Sequence, residues 1–226
     1  MAEKLRGAPV AAALTEALSV RAAALADRGV TPTLAILRLG ERSDDLAYER
    51  AALKRAEKIG IAVRQIALSR NASQHDVDET IRDISSDPHI HACLSLRPFP
   101  KTIDEAGAFA LLSPNKDVDC ATDSMLLATL SGRPCALAPC TAEAVIAILD
   151  HYGIEIAGAR VAVVGRSNVI GRPVAALLTM RDATVTLCHS RTVDLPSVTR
   201  EAEILVVAAG RARMIDSGYV APGQTV

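Results

Sequence analysis

Val161-Ala-Val-Val-Gly-Arg-Ser-Asn-Val-Ile-Gly-Arg-Pro173 decides the fold. Four apolar residues, Val161 to Val164, run straight into Gly165, and Gly171 and Pro173 open a second apolar run through Leu178. The pattern predicts a buried strand, a glycine turn and the start of a helix. Such a turn leaves backbone N–H groups of the loop and first helical turn free to bind phosphate oxygens. The stretch therefore predicts a dinucleotide site.

Outward from it, strands alternate with helices. Downstream, strands are expected at Thr184 to Cys188 and Ile204 to Ala208, with a helix near Leu195 to Glu201 between them. Upstream, Thr141 with Glu143 reads as the start of a helix carrying Val145, Ile146, Ile148 and Leu149 on its apolar face. Earlier still, strands are expected at Thr33 to Leu39, Ile61 to Leu68 and Ala92 to Leu96. Helices are expected at Val10 to Arg28, Asp44 to Lys58 and Asp76 to Ser86. Alternation of this kind defines an α/β class with parallel sheets. Asn115 to Leu137 carries few periodic signals, and Pro134 and Pro139 bracket a boundary. The division is thus 1–137 for an N-terminal α/β domain and 138–226 for a Rossmann-type domain. Pro222 to Val226 resembles a turn entering a new strand, so the second domain is expected to be incomplete at its C-terminus.

Composition narrows the function. The 226 residues are half hydrophobic, and the formal net charge of −1 gives no electrostatic case for nucleic acid or an anionic membrane. Two Phe, three Tyr and no Trp argue against a base-stacking platform. The five cysteines include no CxxC pair, which favours reduced thiols in a cytoplasm over disulfides or a metal site. No signal peptide is visible, and the longest apolar runs look too short for a bilayer span.

The glycine turn departs from G-x-G-x-x-G: it reads Gly165-x-Ser167-x-x-x-Gly171. Arg166 stands where a cation reaches a 2′-phosphate. After the next strand, where an NAD site offers an acidic residue to the ribose, the chain has Ser190 and Arg191. Two arginines and two serines at adjacent turns favour NADP over NAD. His189 reads as a packing residue beside this loop rather than a catalytic one.

Gly165 to Pro173, Lys116-Asp-Val-Asp119, Pro139-Cys-Thr141 and His189-Ser190 together resemble the bifunctional methylenetetrahydrofolate dehydrogenase/methenyltetrahydrofolate cyclohydrolase family. The resemblance covers nearly the whole chain. It implies an N-terminal folate domain, a Rossmann-type NADP domain, folate in a cleft between them, and a cytoplasmic homodimer. It implies that Tyr48 stacks on the substrate's aminobenzoate ring and that Asp119 binds the pterin. It also implies cofactor contacts from Gly165, Arg166, Ser167, Ser190 and Arg191, and no metal.

Two positions depart from the family. The resemblance implies a Tyr-x-x-x-Lys motif whose Lys serves the cyclohydrolase chemistry, supported by the Gln of Gln-Leu-Pro-Leu-Pro. Register from Tyr48 to the helix-ending Gly60 puts that lysine position on Ala52, and the glutamine position falls on Leu96 of Leu96-Arg-Pro-Phe-Pro100. Lys54 is no substitute. It lies roughly 240° around the helix from Tyr48, against roughly 40° for position 52. Arg55 is near Tyr48's face but roughly 10 Å further along the axis, and a guanidinium is a poor proton shuttle. Asp44, Asp45 and Arg97 also change the polarity of the region. The expectation is an NADP-dependent dehydrogenase with cyclohydrolase activity lost or weak. The alternatives are a silent NADP-binding paralogue acting as sensor or partner subunit, and an NADP oxidoreductase with a changed substrate.

Overall fold

Six strands, all parallel, form two separate sheets in the computed structural model, which describes residues 3–133 and 137–226. Pro134 and Cys135, which entered the boundary and thiol readings, lie outside the described residues. The first sheet joins β1 (Thr33–Leu39), β2 (Ala62–Leu68) and β3 (Ala92–Ser95) in the order β2-β1-β3. The second joins β4 (Arg160–Val164), β5 (Thr184–Cys188) and β6 (Ile204–Val207) in the order β5-β4-β6. Each central strand is first in its sheet, and the chain then moves to one side and afterwards to the other. A parallel α/β sheet built this way opens a crevice at the carboxyl ends of the central strand and the strand added last.

The side chains of β1 explain why its sequence is apolar from Leu34 to Leu37 and again at Leu39. Ala35, Leu37 and Leu39 enter a core with Ile81, Ile84 and Phe109, while Ile36 enters another with Leu94 and Leu96. Alternate residues serve opposite faces, so a strand covered on both faces is nearly continuous in apolar residues; the exception on β1 is Arg38, which has an ionic partner in Glu49. β4 repeats the scheme. Val161 and Val163 pack with Ile146 and Val174, and Ala162 and Val164 with Cys188 and Leu205.

The helices are α1 (Gly7–Ala26), α2 (Ser43–Ile59), α3 (Gln74–Ser86), α4 (Glu105–Phe109), α5 (Asp123–Leu130), α6 (Cys140–His151), α7 (Gly171–Thr179) and α8 (Leu195–Arg200). The sequence reading missed α4 and α5, which are too short for an apolar period to emerge. α3 starts on a capping box in which Ser73 and Asp76 exchange side-chain and backbone hydrogen bonds. That bonding, led by the Ser73 hydroxyl, holds the Asp76 carboxyl below its ordinary range. Thr141 does not cap α6 as expected. The helix begins at Cys140, with Pro139 preceding it and no side-chain cap.

α1 also corrects the bilayer reading. It is 20 residues long with a mean hydropathy of 1.3, long and apolar enough to cross a membrane by length and composition. It is nonetheless tied to α2 by polar contacts. Arg55 donates to Thr15 Oγ1 at 2.6 Å and the Ala11 carbonyl at 3.4 Å, and Ser19 Oγ donates to the Lys58 carbonyl at 3.2 Å.

The chain forms two compact units, Arg6–Met125 and Leu126–Val226 with Met1–Leu5. Each contains one of the sheets.

Cys93 on β3 and Cys188 on β5 are buried. Burial pushes the Cys93 thiol up to about 11 and raises that of Cys188 as well. Thiolate, not thiol, is the reactive form. Both residues should therefore stay unmodified when the native protein meets an alkylating agent at neutral pH, and react on unfolding in urea. Peptide mapping by mass spectrometry checks this; rapid native labelling of Cys93 would contradict the burial.

Candidate functional site

The glycine turn leaves the carboxyl end of β4, at the crevice between β4 and β6. Gly165 has φ of 126°, in the region that side chains disfavour. A Cβ there would run into the Ala208 carbonyl, which follows β6. A Cβ at Gly171 would collide with the Gly165 carbonyl oxygen and lie 2.5 Å from its carbon. The two glycines let the loop fold back on the start of α7 with no gap. Ser167 closes it: its Oγ accepts from Ile170 N at 3.2 Å and its carbonyl from Arg172 N at 3.0 Å. Arg172 in turn donates to Asn168 Oδ1 at 2.9 Å. The backbone N–H groups of Arg166, Asn168 and Val169 have no hydrogen-bond partner among the described residues, and these residues are exposed. Uncommitted donors at a helix start, on a loop too tight for side chains, suit a pyrophosphate.

The second turn lies beside the first. β4 and β5 pair with Val164 opposite Cys188, so Gly165 and His189 leave the sheet side by side. Gly165 N donates to the Cys188 carbonyl at 2.9 Å, which joins the two loops. Arg166, Ser167, Ser190 and Arg191 are all exposed at this edge. The residues present fit a phosphorylated dinucleotide: backbone donors for the bridge, cations and hydroxyls for a further phosphate.

The first unit has its own crevice, at the carboxyl ends of β1 and β3. α2 follows β1 there and carries Tyr48, a residue 54% exposed. Ala52, one turn on, packs against Ile36, Leu94 and Leu96. The positions of the family lysine and glutamine thus meet the same apolar cluster, with Val118 and Val63 beside it. Lys54 is exposed, and Arg55 is engaged on α1, so neither supplies an amine to that cluster.

Lys116 to Asp119 divides into separate duties. Lys116 Nζ donates to the carbonyls of Ile84 at 2.8 Å and Asp87 at 2.6 Å. Asp117 is fully buried and accepts from the backbone of Asp119, Ala121 and Thr122, which builds the loop. Asp119 Oδ2 lies 3.6 Å from Arg97 Nη2. The Arg97 guanidinium also sits 5.7 Å from the centroid of the Phe109 ring. Cys120, which follows, has φ of 54°.

Sequence reasoning missed a buried ionic group. Glu49, next to Tyr48, is only 4% exposed. It accepts from Arg38 Nε of β1 at 3.0 Å and from Gln65 Nε2 of β2 at 3.0 Å. Asp45, one turn earlier, is buried 3.6 Å from Arg42 Nε, and Arg42 reaches the Pro98 carbonyl at 3.1 Å. These bonds pin α2 to the sheet and to the loop after β3. The signal was the charge on the face of α2 that would otherwise be apolar. Among the described residues no cluster of His, Cys, Asp and Glu is arranged to hold a metal.

Two three-stranded parallel sheets, the second ending in a glycine turn with open donors, define a two-unit α/β protein with a Rossmann-type nucleotide-binding module. Residues 5–119 match the family model described as tetrahydrofolate dehydrogenase/cyclohydrolase, catalytic domain. Residues 139–226 match the NAD(P)-binding domain of the same family. The chain belongs to the tetrahydrofolate dehydrogenase/cyclohydrolase family. The bifunctional protein FolD 1 of Desulfitobacterium hafniense is 42% identical over 226 residues, covering 100% of this chain and 80% of that protein. The solved bifunctional dehydrogenase/cyclohydrolase of Campylobacter jejuni superposes with a TM-score of 0.92 at 29% identity, over 96% of this chain and 77% of that one. The Trypanosoma brucei enzyme, solved with NADP cofactor and an inhibitor, gives 0.85 at 34% identity, over 91% and 71%.

Proposed function

We propose that this chain is an NADP-dependent methylenetetrahydrofolate dehydrogenase in which cyclohydrolase activity is lost or weak. The observation that carries the proposal is the apolar cluster shared by Ala52 and Leu96. Hydrolysis needs a positioned group to activate water and protonate a leaving amine, worth roughly 10²- to 10⁴-fold in rate. Apolar side chains supply neither. Hydride transfer asks less of the protein. NADP, when bound, supplies the hydride acceptor, and the protein holds the partners in line.

In this reading Gly165, Arg166, Ser167, Ser190 and Arg191 bind the cofactor, and Tyr48 and Asp119 hold the folate. A cytoplasmic homodimer belongs to the same reading. A second reading, an NADP oxidoreductase with a changed substrate, draws support from the Arg97–Asp119 pair, which engages the carboxylate proposed to read the pterin.

The test is two assays on one preparation. With methylenetetrahydrofolate and NADP, the absorbance of NADPH should rise at an enzymatic rate. Methenyltetrahydrofolate should decay close to its spontaneous rate, and the Ala52→Lys/Leu96→Gln variant should hydrolyse it at least about tenfold faster, the low end for a restored acid–base group. Efficient hydrolysis by the unaltered chain would overturn the proposal. NADPH formation only with another substrate would favour the second reading.

A further inference from the structure

We infer that His189 is a positioning residue for cofactor discrimination, acting through the turn that presents Ser190 and Arg191. The inference rests on the reading of those two residues as the 2′-phosphate contacts.

The hydrogen bonds of the turn can be followed donor by donor. His189 N donates to Thr192 Oγ1 at 2.8 Å. Arg191 N donates to His189 Nδ1 at 3.2 Å. Thr192 N donates to the His189 carbonyl at 2.9 Å. Three of the four backbone donors from His189 to Thr192 are therefore committed within the turn. Only Ser190 N–H has no partner among the described residues. Backbone groups at a ligand edge either satisfy one another or face the ligand. Here the division is sharp: one N–H, one hydroxyl and one guanidinium are left for an anion.

The contact between His189 Nδ1 and Arg191 N spans two residues, from a side-chain acceptor to the N–H two positions on. Asn and Asp make the same contact in an Asx turn. His189 is thus an Asx-turn residue in imidazole form, and its acceptor role at Nδ1 places the ring proton on Nε2. Without that acceptor, Arg191 N–H would be released. The two other hydrogen bonds would still close the turn, but nothing would fix the Arg191 peptide within it, and Ser190 and Arg191 could shift away from the edge shared with Arg166. A ligand lacking the 2′-phosphate would not register the change.

The experiment titrates the chain with NADP and NAD, and with 2′,5′-ADP and 5′-AMP as probes that differ only in the 2′-phosphate. His189→Ala should weaken NADP and 2′,5′-ADP about tenfold, the equivalent of ~1.4 kcal/mol. NAD and AMP should change less than about twofold on the same scale. His189→Asn rebuilds the acceptor and should restore the preference, whereas His189→Gln, whose amide is one carbon too far, should not. If His189→Ala fails to fold, the Asn and Gln pair carries the comparison. Equal weakening of all four ligands, an unchanged preference in both Ala and Gln variants, or no rescue by Asn would overturn the inference. Ser190→Ala and Arg191→Ala distinguish the two layers. If they leave the NADP preference intact, the phosphate reading itself fails. If they abolish it while His189→Ala does not, only the role of His189 fails.

Discussion

Gly171→Ala should cost the protein its dinucleotide affinity, by at least about 100-fold or ~2.7 kcal/mol. The added methyl has nowhere to go. Its neighbours are the carbonyl carbon and oxygen of Gly165 and the backbone nitrogen of Arg166 at 3.0 Å, all main chain and unable to swing aside. Either the loop opens, which scatters the N–H groups of Arg166 to Val169, or α7 moves off β4 and disturbs Val174 and Leu178 in the core. Overpacking of this kind also costs about 1–3 kcal/mol of stability. Calorimetric titration with NADP, beside a thermal melt, separates the two losses. Affinity within about threefold of the parent protein, on a scale where ~1.4 kcal/mol is tenfold, would refute the close-approach argument.

The second large effect is expected at Glu49→Ala, a position with no proposed contact to either ligand. The substitution leaves Arg38, with its side chain 15% exposed, facing an empty space beside Gln65. Removing one member of a buried ion pair costs about 3–5 kcal/mol, because the remaining charge has lost its compensation. In a chain of this length that is a fall in melting temperature of about 10 °C. Glu49→Gln keeps an acceptor for Arg38 Nε and should lose less. Replacing both partners, Arg38→Met with Glu49→Met, should recover most of the loss, since a matched apolar pair fills the same space without a stranded charge. Urea unfolding of the three variants checks the order; a double variant as unstable as Glu49→Ala would show that the pair is not the source of the effect.

These two residues also show what a single sequence gives away. Gly171 was legible, since a strand of four apolar residues followed by spaced glycines admits few geometries. The central strands of both sheets were legible for the same reason: β1 from Leu34 to Leu37 and β4 from Val161 to Val164 are unbroken apolar runs, as a doubly covered strand needs. Glu49 was not. It falls on the face of α2 that also carries Ala56 and Ile59, but on a helix so rich in charge that position was passed over, and the tertiary partners Arg38 and Gln65 reveal it as interior. α4 and α5 escaped because five and eight residues are too few for a period to show. Thr141 misled because it is a favoured cap residue standing one position inside the helix that Pro139 precedes. The candidate substrate site was half legible. Register located Ala52 and Leu96, but only packing showed that they share a cluster, and only coordinates paired Arg97 with Asp119.

The cluster around Ala52 has a consequence for any attempt to return a lysine to it. An amine held among Ile36, Leu94 and Leu96 would sit in a medium of low dielectric constant, which disfavours its charged form and draws its pKa downward. That is the condition under which a lysine takes up protons and gives them back near neutrality. The wall that leaves the present chain without a base would tune a newly introduced one, and the stability lost on burying it would measure how strongly.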